Sequence, residues 1–238
     1  RLAMLFFLNP IVLISLFSIN KEALLILGFP YVLRFWKERK ARYFLLALAV
    51  SLFVRWQFVL YVLVILLSTI VIKEDTTKKS QNLFILLFLM VVSAVFLFAS
   101  PVLGPAAKYA TAMTSNEKSL YLFFNSLQMK GLYFLVFIPK LMLIMIGQAL
   151  ALPYPLDFEL FFNNNVRQFY SYFNISLFAW LLVKRNNPFN SLYYVPVMLY
   201  AILFVISPIF EVRYVLPITL FLSVLLSTVK EPLCRDVH

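Results

Sequence analysis

Charged residues set within or against long apolar runs are where this sequence could do chemistry. Four groups stand out: Lys21-Glu22, Arg55, the corner Glu211-Val212-Arg213-Tyr214, and Asp157-Phe158-Glu159 with Arg167 further along the same polar stretch. A charge in or near hydrocarbon costs several kcal/mol unless it is paired or hydrated. A guanidinium presents a planar fork of donors that matches phosphate oxygens and never loses its charge. Arg55 and Arg213 are therefore candidate clamps for a phosphate or a sugar, with Lys21 as a point-charge contact and the Tyr214 phenol alongside. Glu22 or Glu211 could take a proton from an attacking hydroxyl. The spacing of Asp157 and Glu159 would let two carboxylates meet a divalent cation; no other metal or cofactor is implied. Each group also has a structural reading. Glu22, with Asn20 as cap, suits a helix start, and Arg55 beside Trp56 suits a snorkelling anchor. Glu211 and Arg213 could form a surface pair worth almost nothing. Asp157 and Glu159 could sit in a solvated loop.

The elements that must position these residues are membrane-like. The 238 residues are 63% hydrophobic and 13% charged, against about 25% charged in a soluble domain. The apolar runs approach helical-span length, and the alternation of a membrane β-barrel is absent. In lipid each backbone polar group must be satisfied within its own segment, so the spans should be α-helices. The expected architecture is all-α: one polytopic transmembrane bundle over residues 1–238 with about six to eight segments. The chain starts at Arg1 rather than Met, and an amino-terminal truncation is expected. The stretch 103–130 reads as a polar or interfacial connector, in which Leu120–Met129 mixes apolar and amide side chains as an interfacial amphipathic helix would. The stretch 153–168 reads as an extracytoplasmic loop, and its aromatics and amides suit sugar rings as well as a membrane-interface belt.

Orientation follows the cations. Arg34, Lys37, Arg39, Lys40 and Arg42, then Lys184-Arg185, then Lys230 and Arg235 should face the cytoplasm. Lys21, Glu22, Asp157, Glu159, Arg167, Glu211 and Arg213 then fall on the outer side. The run Tyr43–Ile72 is either one long tilted helix or a hairpin turning near Arg55-Trp56. Both place the same number of Lys and Arg inside, so charge bias does not choose. The hairpin is preferred: it brings Arg55 to water and splits an over-long segment. It returns Lys73–Lys79 to the cytoplasm and makes Gly131–Leu152 re-entrant or interfacial. That also suits Pro139-Lys140, an expensive pair at mid-span.

Several function classes drop out. The net charge of +11 fits inward-facing loops and anionic lipid headgroups rather than nucleic acid. Four glycines make no phosphate-binding loop. The single histidine, His238, leaves no His-based triad or metal site, and Cys234 alone allows no internal disulfide. The sequon Asn174-Ile175-Ser176 falls inside a span and should carry no glycan.

The opening Asn20-Lys21-Glu22-Ala23-Leu24-Leu25, a basic turn, and an apolar run ending in Arg55 together resemble bacterial O-antigen and capsule polymerase-like inner-membrane proteins. The Glu211–Pro217 corner resembles the E-R-Y-x-x-P ending of multi-pass lipid-sugar-dependent glycosyltransferases of the GT-C type, with a valine here separating Glu211 from Arg213. The resemblance covers two short patches and the hydropathy profile. It implies glycosyl transfer or polymerisation from a polyprenyl-(pyro)phosphate-linked sugar at the outer face of the bacterial inner membrane, in surface-polysaccharide synthesis. It further implies that Arg55 and Arg213 hold the lipid phosphate, and that Glu211 or Glu22 deprotonates the acceptor. The implied partners are membrane lipids and the lipid-linked sugar. A transporter or flippase for a lipid-linked or anionic solute is the competing expectation.

Overall fold

The computed structural model describes residues 21–54, 56–73, 76–112, 119–150, 166–183, 191–207 and 216–227, with backbone alone at helical positions 21–23, 99–112, 119, 148, 150, 166–167, 182 and 225–227. Among the described residues the chain is all-α, without strands. Its helices are α1 (Lys21–Glu38), α2 (Ala41–Val54), α3 (Trp56–Val71), α4 (Lys78–Ala112), α5 (Ser119–Met129), α6 (Tyr133–Ile146), α7 (Val166–Val183), α8 (Tyr194–Val205) and α9 (Leu216–Ser227). A 3₁₀ turn, Gly147–Leu150, follows α6.

The first three helices fold back on one another. Between α1 and α2 the chain turns at Arg39, a non-glycine residue with φ of 54°. That left-handed conformation costs about 1–2 kcal/mol. It is offset by the guanidinium lying 4.5 Å above the Trp36 ring and by Arg39 Nη2 donating to the Ile72 carbonyl at 3.1 Å. The second contact decides the form of Tyr43–Ile72. A continuous helix would hold residues 39 and 72 roughly 50 Å apart at 1.5 Å per residue. Their direct hydrogen bond makes α2 and α3 an antiparallel hairpin.

One end of the bundle therefore collects the cations. Arg34, Lys37, Lys40 and Arg42 are exposed there, as are Lys73, Lys78 and Lys79 from the loop into α4. Lys78 Nζ donates to the Ser191 carbonyl (3.4 Å) and Trp36 Nε1 to the Leu192 carbonyl (3.0 Å), tying a third connection to the same pole.

At the centre lies α8, buried from Val195 to Val205 except for Met198. Pro196 falls in its first turn, where the missing N–H would have had no helical partner. Tyr61 of α3 donates to the Pro196 carbonyl at 3.2 Å, and Tyr61, Phe29 and Phe204 pack on Tyr200 with ring centroids 4.1–5.4 Å apart. Around this core large apolar side chains face outward: Leu52, Phe53, Trp56, Ile70, Leu86 and Phe98 are all more than half exposed. Helix α5 is patterned the same way. Tyr121, Asn125 and Gln128 point inward, while Leu120 and Phe123 point out.

By length and composition, one helix among the described residues can cross a bilayer, over Lys78–Phe98 of α4. Helices α2, α3, α6 and α8 are apolar but shorter, at 10–17 residues. The connector expected at 103–130 differs from its sequence reading, because α4 runs on as helix to Ala112. The turn from α5 into α6 needs Gly131. Its φ is +76°, and a Cβ there would lie 2.4 Å from Leu97 Cγ.

Candidate functional site

The carboxyl-terminal end of α8 leaves carbonyls without helical partners, and side chains from α5 and α6 take them. Tyr133 donates to the Ile202 carbonyl at 2.7 Å, Gln128 Nε2 to the Ile206 carbonyl at 2.7 Å, and Tyr121 to the Ser207 carbonyl at 2.8 Å. Lys140 completes the set. Its Nζ donates to the Ser207 carbonyl at 2.9 Å and to Gln128 Oε1 at 2.8 Å, and lies 4.9 Å from the centre of the Tyr121 ring. Lys140 is fully buried. Two oxygens, one aromatic face and the negative end of the α8 dipole surround its three donors, which is the environment an ammonium needs away from water. Glu38 is the one acid whose side chain is described, so no described carboxylate neighbours Lys140.

Against this cluster lies a cleft of about 550 Å³. Trp56, Leu60 and Val64 of α3, Val92 and Phe96 of α4, and Leu203 of α8 contribute to its walls; Gln57, Gln128 and Ser207 are its polar lining residues. Lys140 stands one layer behind, touching Gln128 and Ser207. A mostly apolar trough with a few hydrogen-bonding groups suits an amphiphile with one hydrocarbon chain and an oxygen-bearing head.

The sequence-derived site residues fall mostly outside what is described. Arg55, Asp157, Glu159, Glu211, Arg213 and Tyr214 lie outside the described residues. Lys21 and Glu22 open α1, and Arg167 lies in the first turn of α7, with their side chains likewise outside. Their neighbours can be placed. Trp56 and Gln57, directly after Arg55, and Ser207, four residues before Glu211, line the same cleft. Among the described residues no group of three metal-ligating side chains occurs.

Sequence reasoning used Lys140 only as an argument about topology and read Gln128 only as part of an interfacial helix. The available signal was a lone cation inside the otherwise apolar Tyr133–Ile146.

A second buried polar cluster joins α6, α7 and α9. Tyr170 Oη and Thr219 Oγ1 are 2.6 Å apart, Thr219 Oγ1 donates to Asn174 Oδ1 at 3.0 Å, and Asn174 Nδ2 donates to the Met145 carbonyl at 2.8 Å. Because the Thr219 proton goes to Asn174, Tyr170 is the donor to Thr219. Asn174 is fully buried and committed at both ends of its amide, which leaves its sequon closed to a glycan.

Compared with protein families, with curated proteins and with solved structures, the chain matches none.

Proposed function

We propose that this chain is a multi-pass protein of the bacterial inner membrane, with about six to eight membrane segments, that transfers or polymerises sugars carried on polyprenyl (pyro)phosphate. Membrane residence is supported by the outward-facing Leu52, Phe53, Leu86 and Phe98, by the inward polar face of α5, and by four apolar helices besides α4. A soluble monomer rarely exposes contiguous apolar surface beyond a few hundred Å². The observation that carries the glycosyl-transfer reading is the cleft, mostly apolar with a few hydrogen-bonding side chains, and lined by Trp56 and Gln57, next to Arg55, and by Ser207, four residues before Glu211.

In the proposed reaction the isoprenoid chain occupies apolar surface, while Arg55, Arg213, Lys21 and Tyr214 hold the phosphate. An acceptor hydroxyl attacks the anomeric carbon. Its oxygen forms the new glycosidic bond, the bond from that carbon to the phosphate oxygen breaks, and the lipid (pyro)phosphate departs with the electron pair. The hydroxyl proton passes to Glu211 or Glu22. Fixed guanidinium groups at the leaving phosphate stabilise the charge that develops there.

Arg55→Ala and Arg213→Ala should each abolish chain extension in proteoliposomes supplied with polyprenyl-pyrophosphate oligosaccharide, with the protein still inserted. Arg→Lys at either position should also fail, because an ammonium lacks the fork. Full-length polymer from both alanine variants overturns the reading. Movement of the lipid-linked sugar across the vesicle without covalent change replaces it with a flippase.

A further inference from the structure

The orientation of the Gln128 amide is forced by its neighbours. The Ile206 carbonyl can only accept, so the atom facing it must be the nitrogen, and the amide oxygen is then the atom that meets Lys140 Nζ. The nitrogen carries two hydrogens and one goes to Ile206. The second hydrogen has no partner among the described residues, and Gln128 is one of the polar residues lining the cleft. Lys140 acts on that N–H in two ways. It prevents the amide from turning over. It also draws electron density toward Oε1, which polarises the amide and strengthens its donors.

We propose that Gln128 is the headgroup donor of the cleft, gripping a phosphate oxygen of a lipid whose hydrocarbon chain lies along Leu60, Val92 and Phe96, and that Lys140 is a positioning residue that fixes the amide in its donating orientation. The occupant is a single-chain isoprenyl phosphate rather than a neutral lipid: a donor backed by a cation lines the cleft, and the rest of the lining is mostly apolar. Lys140 does not touch the ligand; it sets which atom the ligand meets. The assignment rests on the lipid-phosphate reading above and adds two residues to it.

The test is binding of farnesyl phosphate, with farnesol as the chain without phosphate and inorganic phosphate as the head without chain. Each is titrated into the full chain in detergent and followed by tryptophan fluorescence. Trp56 lines the cleft and is 74% exposed, so Trp56→Phe is the blank. Farnesyl phosphate should bind about tenfold more tightly than farnesol, the ratio expected for one buried hydrogen bond to a charged group. Inorganic phosphate should not register. Gln128→Leu should bring the ratio to near one while farnesol still binds. Gln128→Glu should invert it: the carboxylate still pairs with Lys140 but shows the cleft only acceptors. Lys140→Met should lower the ratio severalfold while farnesol still binds, a change in selectivity that a merely structural role would not produce. Should Lys140→Met fail to fold, the two Gln128 variants decide the outcome. A ratio near one in the unmodified protein, a ratio that Gln128→Leu leaves intact, or quenching that survives Trp56→Phe overturns the assignment. If chain extension still depends on Arg55 and Arg213 in those cases, only the Gln128 role is lost. If neither lipid binds and extension does not depend on the arginines, the glycosyl-transfer reading fails too.

Discussion

The Tyr170–Thr219–Asn174 chain and the Lys140–Gln128–Ser207 cluster are equally buried, yet one closes on itself and the other stops at a cleft. In the first, each hydroxyl or amide donates to the next until the proton supply ends at the Met145 carbonyl. Nothing in it is charged. In the second, the Lys140 side chain sits at a helix end, bonded to Gln128 and Ser207, and both of those residues line the cleft. Burial of polar groups thus separates into two uses. A closed, neutral chain fastens α6, α7 and α9 together, as interhelical hydrogen bonds do in membranes. A cluster built on a lysine, with an amide hydrogen left over beside a cleft, is the one to which the lipid-phosphate proposal assigns a ligand.

The contrast should be widest in stability. Lys140→Ala removes two charge-assisted hydrogen bonds and the ring contact, leaves Gln128 Oε1 without its donor, and opens a cavity among Tyr121, Gln128 and Ser207. A loss of about 3 kcal/mol is expected from the lost bonds and the cavity together. Unfolding of the purified protein in mixed micelles of increasing denaturing-detergent fraction measures it. A loss below about 1 kcal/mol, the size of an ordinary neutral hydrogen bond, would mean that water or another group replaces the ammonium, and the distinction between the two clusters would disappear.

How far the sequence foretold this arrangement depends on the separation of the partners. The α2–α3 hairpin was legible from the cost of Arg55 inside an over-long run, and the Arg39–Ile72 hydrogen bond closes it. The basic pole was legible because Lys and Arg cluster within short loops. The Lys140 cluster was legible in only one respect, that a lone cation in an apolar helix must have partners. Which partners could not be read: Gln128 is 12 residues away and Ser207 is 67, and such pairings are set by how helices cross rather than by local pattern. Helix α5 misled for a related reason. Amphipathic spacing gives the same signal whichever face turns inward, and here the amides face the protein. The connector at 103–130 was read from its polar lean, whereas α4 continues as helix to Ala112. Arg55, Glu211 and Arg213, on which the sequence argument leaned most, lie outside the described residues, and mutation is their direct test.

A smaller effect should distinguish the neutral chain. Asn174→Leu keeps the branched shape and removes the hydrogen bonds to Met145 and Thr219. The expected cost is about 1 kcal/mol, the size of an ordinary neutral hydrogen bond. Farnesyl phosphate binding should be unchanged, because Asn174 does not line the cleft. A drop in binding comparable with that of Gln128→Leu would show that α7 and the cleft are coupled, and that the Tyr170–Thr219–Asn174 chain is not merely a fastening.

The smallest effect is expected at the basic pole, where charges face water instead of protein. Lys40 Nζ lies 2.9 Å from Glu38 Oε2, and this hydrogen bond, more than the Coulomb attraction of Lys40, Arg42 and Arg34, holds the Glu38 carboxyl below its ordinary value of 4.5. A carboxylate lowered on folding contributes stability that is complete above its unfolded pKa and fades as pH falls through the folded one. Any contribution from Glu38 would therefore be present at neutral pH and lost below about pH 4.5. Because the pair is solvated, screening should reduce that contribution to within experimental error. Glu38→Gln should leave the micelle unfolding midpoint at neutral pH where it was, and the difference between variant and parent should stay flat as pH is lowered. A midpoint that falls in the variant at neutral pH and converges with the parent in acid would mean that Glu38 is shielded when the protein is in lipid, and that this pole is as dry as the end that holds Lys140.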